Sequence, residues 1–419
     1  MTAFARAAEQ VIQQLQQLAT ISQHPEYLDR RYLSDEHFAA NALVAHWMSQ
    51  SAMQHHTDAA GNLWGRLSSG TPDAPRFIMG SHLDTVPNGG KYDGMLGVVA
   101  AVMLAKLLDE YAVQLPFHLD IVGFGDEEGT RFGSTLLGSR ALTGSWPASW
   151  RNLTDADHIS LPQAMQNVGL CFDDVRNAAL TDTDILGFLE LHIEQGPVLE
   201  DENLPIGIVN AIAGARRFEF RVTGMAGHAG TVPMRLRKDA LTASAKMIVA
   251  IEQLAIEHDI VATVGQIKNQ PNGVNVISGE TLFSLDIRSG DDMHRDKVVE
   301  LIINAATTIA SQHSVKLLWR QTHEAAAVSC DASLQSLLHR AIDSAGYSPL
   351  YLPSGAGHDA MAMAQICPVA MLFTRCDKGI SHHPDENICV DDVEVTLQVL
   401  FETLILLSKQ HTVNQNAAS

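Results

Sequence analysis

Phe77-Ile78-Met79-Gly80-Ser81-His82-Leu83-Asp84-Thr85-Val86, then a Pro/Asn/Gly-rich stretch to Tyr92, then Asp93-Gly94-Met95-Leu96-Gly97, is the stretch on which the reading of the fold turns. Its opening apolar run reads as a buried strand. Beyond Gly94 the run Val98-Val99-Ala100-Ala101-Val102-Met103-Leu104 reads as a buried helix that reaches Tyr111. A second apolar strand, Phe117 to Phe124, follows. Strand, helix, strand in this order is a βαβ crossover and predicts a parallel sheet. His82 and Asp93 then stand at the two ends of a strand-to-helix loop, where open α/β sheets collect ligands. Imidazole and carboxylate are ligand types that suit zinc or manganese. By themselves, a His and an Asp in such a loop are solvated turn residues. Further ligands have to come from elsewhere in the chain.

Three more loops of the same kind follow apolar strands. Phe124 leads into Gly125-Asp126-Glu127-Glu128-Gly129. The strand Ile185 to Ile193 ends in Glu190-Leu191-His192-Ile193-Glu194-Gln195-Gly196. After the strand Val369 to Phe373 comes Gly379-Ile380-Ser381-His382-His383-Pro384. Glu127-Glu128 alone is an acidic turn, and a single His is a surface or core residue. The coincidence of four such loops at strand ends is what points to a catalytic metal centre. Acid and imidazole without thiolate favour a catalytic over a structural site. Two adjacent Glu suggest divided labour, one binding metal and the other taking a proton from water.

The chain has 419 residues, long enough for two domains. Helices are expected over 8–19 and after Asp35, a short strand over 62–67, a loop-rich reach over 144–184, and a strand from Ile206 to Ala213. At Gly214 the pattern changes. Arg217-Phe218-Glu219-Phe220-Arg221-Val222 alternates, so one face of that strand is wet. A helix from Asp239 to Glu257, strands Ile260–Ile267 and Thr281–Ile287, a helix from Met293 to Ser311 and a strand Val315–Trp319 follow. This β-α-β-β-α-β order predicts a ferredoxin-like antiparallel sheet with two helices on one face. The expected fold is α/β, with a largely parallel sheet flanked by helices and an inserted α+β domain. Residues 1–213 and 330–419 form the catalytic domain, and 214–329 the insertion. A final helix is expected from Asp391 to about Ser408.

A net charge of −20, from 28 Lys+Arg against 48 Asp+Glu, argues against nucleic acid and anionic membrane as partners. Five Cys without a C-x-x-C pair suit a reducing compartment. The first residues lack the basic and apolar regions of a signal peptide, and no apolar run approaches the ~20 residues that span a bilayer. The expectation is a cytoplasmic protein.

His82-Leu83-Asp84-Thr85-Val86, Asp93-Gly94, Asp126-Glu127-Glu128-Gly129, Leu191-His192-Ile193-Glu194-Gln195-Gly196, Gly227-His228-Ala229-Gly230, Ser354-Gly355-Ala356-Gly357-His358-Asp359 and Gly379-Ile380-Ser381-His382 together resemble the M20-type metallopeptidase/amidohydrolase family. More narrowly, they resemble its allantoate amidohydrolase and N-carbamoyl-L-amino-acid hydrolase branch. The resemblance runs from about Leu63 to Val390. It implies a zinc-exopeptidase-like fold and two divalent ions, Zn²⁺ or Mn²⁺ with Co²⁺ or Ni²⁺ as alternatives. Asp93 would bridge the ions, His82 and His192 would complete one, and Glu128 and His382 the other. His383, beside His382, stays open as the alternative ligand. Glu127 would be the general base, and Asp84 would orient His82. The insertion resembles the family's dimerisation and lid domain, implying a homodimer. His228 would steady the oxyanion, in its own or the partner's site. Asn275 and Arg288 map onto the family's substrate-carboxylate clamp, and an Arg fork suits a carboxylate. Gln195 and Gly357 match positions that hold the carbamoyl group, and Arg217 is a further substrate candidate. Without the resemblance, His228 is a turn residue and Arg288 a surface residue at a strand end.

The implied reaction is hydrolysis of a small ureido acid. Allantoate comes first, because Arg375-Cys376 before Gly379 resembles that subgroup, and the products would be ureidoglycine or ureidoglycolate, ammonia and CO₂ in purine nitrogen salvage. N-carbamoyl-L-amino acids, ureidoglycolate and ureidopropionate are the alternatives. Gln195 and Arg288 speak against a dipeptidase, and the complete ligand set speaks against a non-catalytic binding module.

Overall fold

The structure, a computed structural model, describes residues 2–181 and 184–418. Asp182 and Thr183, inside the reach expected to be loop-rich, lie outside the described residues. Two compact units form: Met1–Asn210 with Cys330–Leu352 and Gly357–Ser419, and Ala211–Ser329 with Pro353–Ala356.

In the first unit, α1 (Ala3–Leu18) starts five residues earlier than its apolar spacing suggests, because Thr2 accepts a hydrogen bond from the Ala5 N–H and caps it. Ser34 caps α2 (Asp35–Gln50) in the same way through the His37 N–H. The strands are β1 (Gln54–Thr57), β2 (Leu63–Leu67), β3 (Arg76–His82), β4 (His118–Phe124), β5 (Ile185–Ile193) and β6 (Ile206–Ile212), with Val369–Thr374 inserted between β5 and β6. The sheet order is β1-β2-β4-β3-β5, then Val369–Thr374, then β6. β4, β3, β5 and Val369–Thr374 run parallel, and β1, β2 and β6 are antiparallel to their neighbours. β1, the sequence Gln-His-His-Thr, is exposed along its whole length and has no apolar signal to betray it.

The helix α3 (Met95–Glu110) is apolar on every side as far as Ala105, and Val98, Val99, Leu104 and Leu108 are fully buried in the core shared with the sheet and α1. Each such side chain contributes about 1.5–3 kcal/mol by leaving water. The last helix, Val390–Ala418, is longer than expected and buries Val393, Leu397, Leu400 and Leu404 in the same core. Register brings the strand ends level: His82 pairs with Phe124, and Phe373 with His192. Four parallel strands therefore release their loops at one edge of the sheet.

The second unit is an antiparallel sheet of Ile267–Gln270, Glu280–Ser289, Gly214–Thr223 and Lys316–Ala325, in that order. The helices Ala240–Glu257 and Asp292–Gln312 share its apolar core with Phe218, Phe220, Phe283 and Leu285. The strand expected over 260–267 is two short strands, Val261–Thr263 and Ile267–Gln270, separated at Gly265. The last strand runs six residues beyond Trp319 to Ala325, because its backbone pairing with Gly214–Thr223 continues to Ala215 although its side chains there are polar and exposed. Among the described residues, no helix is long and apolar enough to cross a membrane.

Candidate functional site

At the carboxyl ends of the parallel strands, four side chains, His82, His192, His382 and Glu128, converge on Asp93. Its Oδ1 lies 3.1 Å from His192 Nε2 and 3.4 Å from His82 Nε2. Its Oδ2 lies 3.4 Å from His382 Nε2, which is 3.5 Å from Glu128 Oε1. The groups His82–Asp93–His192, His82–Glu127–Glu128 and Asp93–Glu128–His382 each have ligand atoms within 4.8 Å of one another.

Backbone carbonyls fix the imidazoles. His82 Nδ1 donates to the Asp84 carbonyl at 3.1 Å, and His192 Nδ1 to the Ile193 carbonyl at 2.9 Å. A carbonyl only accepts, so each Nδ1 carries a hydrogen and each ring turns its Nε2 towards Asp93. Burial lowers the pKa of both rings, but the carboxylates beside them outweigh it and hold both above the usual imidazole value. Both rings are buried, at 1% exposure.

Asp84 does more than the expected orientation of His82. Its carboxylate lies 3.4 Å from His82 Nδ1 and accepts the backbone N–H groups of Glu127 at 3.0 Å and Glu128 at 3.2 Å. One buried carboxylate thus ties the His82 loop to the Glu127-Glu128 turn. Sequence spacing carried no signal for that link, since 43 positions separate the partners. Burial, then the charges of Glu128, Asp359 and Asp84 against that of His82, holds the Glu127 carboxyl well above its usual range. Burial and the Asp93 charge push Glu128 up to about 7. Burial also raises Asp93, but His192, His382 and His82 outweigh it and hold it well below the ordinary value. The hydrogen bond to Asp93 lifts His382 to about 9.

Of the two adjacent imidazoles, the structure places His382 in the cluster, while His383 Nδ1 sits beside Asp385 and is half exposed. Gln195, with a left-handed φ of 57°, donates from Nε2 to Asp93 Oδ2 at 2.7 Å. Its Oε1 is buried without a protein partner. The Cα of Gly357 leaves open the space next to Glu127: a Cβ there would stand 3.8 Å from Glu127 Oε1.

The other substrate candidates belong to the second unit. His228 and Asn275 meet there: Val276 pairs with His228 across two short strands, and the Asn275 carbonyl accepts the Ala229 N–H. His228 Nδ1 accepts the Gly230 N–H at 3.1 Å, which puts the ring hydrogen on Nε2. Arg288 and Arg217 share Asp286: Arg288 Nε reaches Oδ1 at 2.8 Å and Arg217 Nε reaches Oδ2 at 2.7 Å. Arg288 Nη1 also donates to the Gly355 carbonyl.

Two groups were missed by sequence reasoning. Glu190, fully buried, accepts from Ser81 Oγ at 2.8 Å and from the Ala360 N–H at 2.9 Å. Glu386 accepts the Tyr92 and Asp93 N–H groups. Neither stands in a recognisable motif, and only their burial as charged residues marks them. Arg375, on which the preference for allantoate rested, is held in bidentate fashion by Asp392 and also donates to Asn203. Its guanidinium braces the chain rather than joining the Asp93 cluster.

The family model for peptidase family M20/M25/M40 matches residues 78–405. The chain is 40% identical over 403 residues to an N-carbamoyl-L-amino acid amidohydrolase of Geobacillus stearothermophilus, covering 96% of this chain and 98% of the relative. It is 35% identical over 428 residues to an allantoate deiminase of Arabidopsis thaliana, covering 94% and 82%. The fold superposes with a TM-score of 0.89 on an amidase of the hydantoinase/carbamoylase family from Burkholderia multivorans, at 28% identity over 95% of this chain and 97% of that one. Metal binding fits this family, and the Asp93 cluster supplies a candidate place for it. The chain belongs to peptidase family M20/M25/M40, in the branch of the N-carbamoyl-L-amino acid and allantoate amidohydrolases.

Proposed function

We propose that the chain is a metal-dependent amidohydrolase that cleaves the carbamoyl C–N bond of a ureido acid, with allantoate as the first substrate. The observation that carries this reading is the convergence of His82 and His192 Nε2 on Asp93 Oδ1, with His382 Nε2 at Oδ2 beside Glu128. Three imidazoles and two carboxylates without thiolate fit two divalent ions, Zn²⁺ or Mn²⁺ by donor chemistry. Asp93 would bridge, with His82 and His192 on one side and Glu128 and His382 on the other. When bound, such ions supply Lewis acidity, lowering the pKa of water towards ~7 and polarising a carbonyl.

The chain's own residues do the rest. Glu127 takes a proton from the attacking water and returns it to the leaving nitrogen, a shuttle to which its raised affinity for protons is suited. Ammonia leaves, and the carbamate that remains breaks down to CO₂ and the amine. The unpartnered Gln195 Oε1 accepts a carbamoyl N–H, and Gly357 leaves room beside Glu127. We assign His228 Nε2–H to the oxyanion and Asn275 with Arg288 to the substrate carboxylate. Arg217 enters this reading through Asp286, which it shares with Arg288. Residues 214–329 serve as lid and dimerisation domain of a cytoplasmic homodimer, and five unpaired Cys are in keeping with a reducing compartment.

A second reading, an N-carbamoyl-L-amino acid as substrate, is favoured by the 40% identical relative and by the engagement of Arg375 with Asp392. Ammonia release from allantoate and from N-carbamoyl-L-methionine, measured on protein loaded with Mn²⁺, decides between them. Faster turnover of the carbamoyl amino acid overturns allantoate. Dipeptide cleavage with no ureido activity overturns the branch-level proposal.

A further inference from the structure

Asp93 sits in the loop before α3, and Glu386 lies far along the chain, in the segment that follows His382. Glu386 is 2% exposed. A turn closed by its N–H on the His383 carbonyl presents its carboxylate to the Asp93 loop. Oε1 accepts the N–H of Tyr92 at 2.8 Å and that of Asp93 at 3.1 Å. Oε2 lies 3.2 Å from Ser381 Oγ, and that hydroxyl also lies 2.6 Å from Asp93 Oδ2. Gly90 closes over the carboxylate: a Cβ there would stand 2.0 Å from its carboxyl carbon.

A carboxylate buried beside a second carboxylate is a costly choice, and an apolar residue of that volume would serve stability better. What it supplies that no apolar residue can is one oxygen that accepts two successive backbone N–H groups. We infer that Glu386 is a positioning residue that clamps the Tyr92–Asp93 backbone to the Ser381–His382 loop, so that Asp93 and His382 face a common ion. The inference rests on the metal-site reading above. Reach, rather than charge, is then the property that counts. Glu386→Gln keeps the reach and an accepting oxygen, whereas Glu386→Asp keeps the charge and is one methylene short.

The test titrates metal-free protein with Zn²⁺ against a chromogenic chelator and follows melting of the metal-free forms. Glu386→Gln should hold the weaker ion within about threefold of the parent. Glu386→Asp should lose about 10–100-fold, the range for residues that orient metal ligands, with the metal-free melting temperatures alike. Parent-like affinity in the Asp variant, or equal losses in both, overturns the clamp. If the Asp variant does not fold, Ser381→Ala replaces it. A loss of about tenfold supports the clamp and an unchanged affinity overturns it. A parent that binds no ion overturns the metal-site reading and this inference with it. A parent that binds two ions, as tightly as its Asp variant does, overturns this inference alone.

Discussion

Gly94 is the position where one added methyl group tests the whole arrangement. Its φ is +75°, and an ideal Cβ there would lie 2.4 Å from both Cε1 and Nε2 of His82. Ordinary contact begins at 3.4 Å, so ring and methyl must part by about 1 Å. The ring cannot simply swing away, because its Nδ1 is tied to the Asp84 carbonyl and its flank is buried. Gly94→Ala therefore costs about 1–2 kcal/mol for the left-handed backbone, and about 1 kcal/mol more if the Nδ1 hydrogen bond breaks. Displacement of a ligand by 1 Å is expected to lower turnover by about 10²-fold. Gly70→Ala is the control: its φ is +82° and a Cβ there meets nothing within 4 Å, so it carries the backbone cost alone. Metal content after dialysis, kcat/KM on the better ureido substrate and melting temperature would be compared for both. A folded Gly94→Ala that keeps the parent's metal and turns over within about threefold of it would refute the placement of His82 at the ion.

Glu127→Gln should keep both ions and lower kcat by about 10²–10⁴-fold, the usual share of a general base; metal analysis beside the rate separates that from ligand loss. Asp93→Ala should cost both ions, and tight retention of one, seen by the same analysis, counts against a bridge. Asp84→Asn leaves one oxygen for two N–H donors, so metal affinity or rate should fall by about 10–100-fold. His37 gives a pH prediction away from the centre. Burial pushes it down to about 4, so the unfolded chain takes up the proton first. Its contribution is intact above about pH 6.5 and is lost as pH falls towards 4, amounting to about 3 kcal/mol. Urea unfolding of the parent and of His37→Asn across that window should converge at low pH, and parallel curves would contradict it.

The parallel core of the sheet was legible because its strands are short apolar runs that end in Gly-, Asp- or His-bearing loops, and Phe77–Met79, Val98–Leu104 and Phe117–Phe124 in succession predicted the parallel crossover, though not the strand order. β1 was not legible, because Gln54–Thr57 pairs through its backbone while all its side chains face water. His82, Asp93, Glu127, Glu128, His192 and His382 could be nominated because each lies at the carboxyl end of an apolar strand or in the loop that leaves it. Their division between the two oxygens of Asp93 is a three-dimensional fact with no trace in spacing. The same holds for Asp84, whose carboxylate reaches the Glu127-Glu128 turn, and for Arg375, a motif residue that the fold spends on Asp392.

The loop from Gly80 to Gly97 therefore cannot be treated as a holder of two ligands only. Each of its ends is tied to chain from elsewhere: the loop's own Asp84 accepts the N–H groups of the Glu127-Glu128 turn, and Glu386 accepts those of Tyr92 and Asp93. Around it, burial drives Asp126, Glu127, Glu190 and Asp359 towards the neutral form. Such a crowd of carboxyls is an energetic liability in a closed protein. Cations at the Asp93 cluster would oppose that repulsion, so metal should raise the stability of the fold as well as enable its chemistry. By mass action, ions at a hundred times their dissociation constant add about 2.7 kcal/mol per site. On the metal-site reading, the same acids would favour doubly charged ions over protons at the Asp93 cluster, and the ties at both ends of the loop would hold the ligands in place for them.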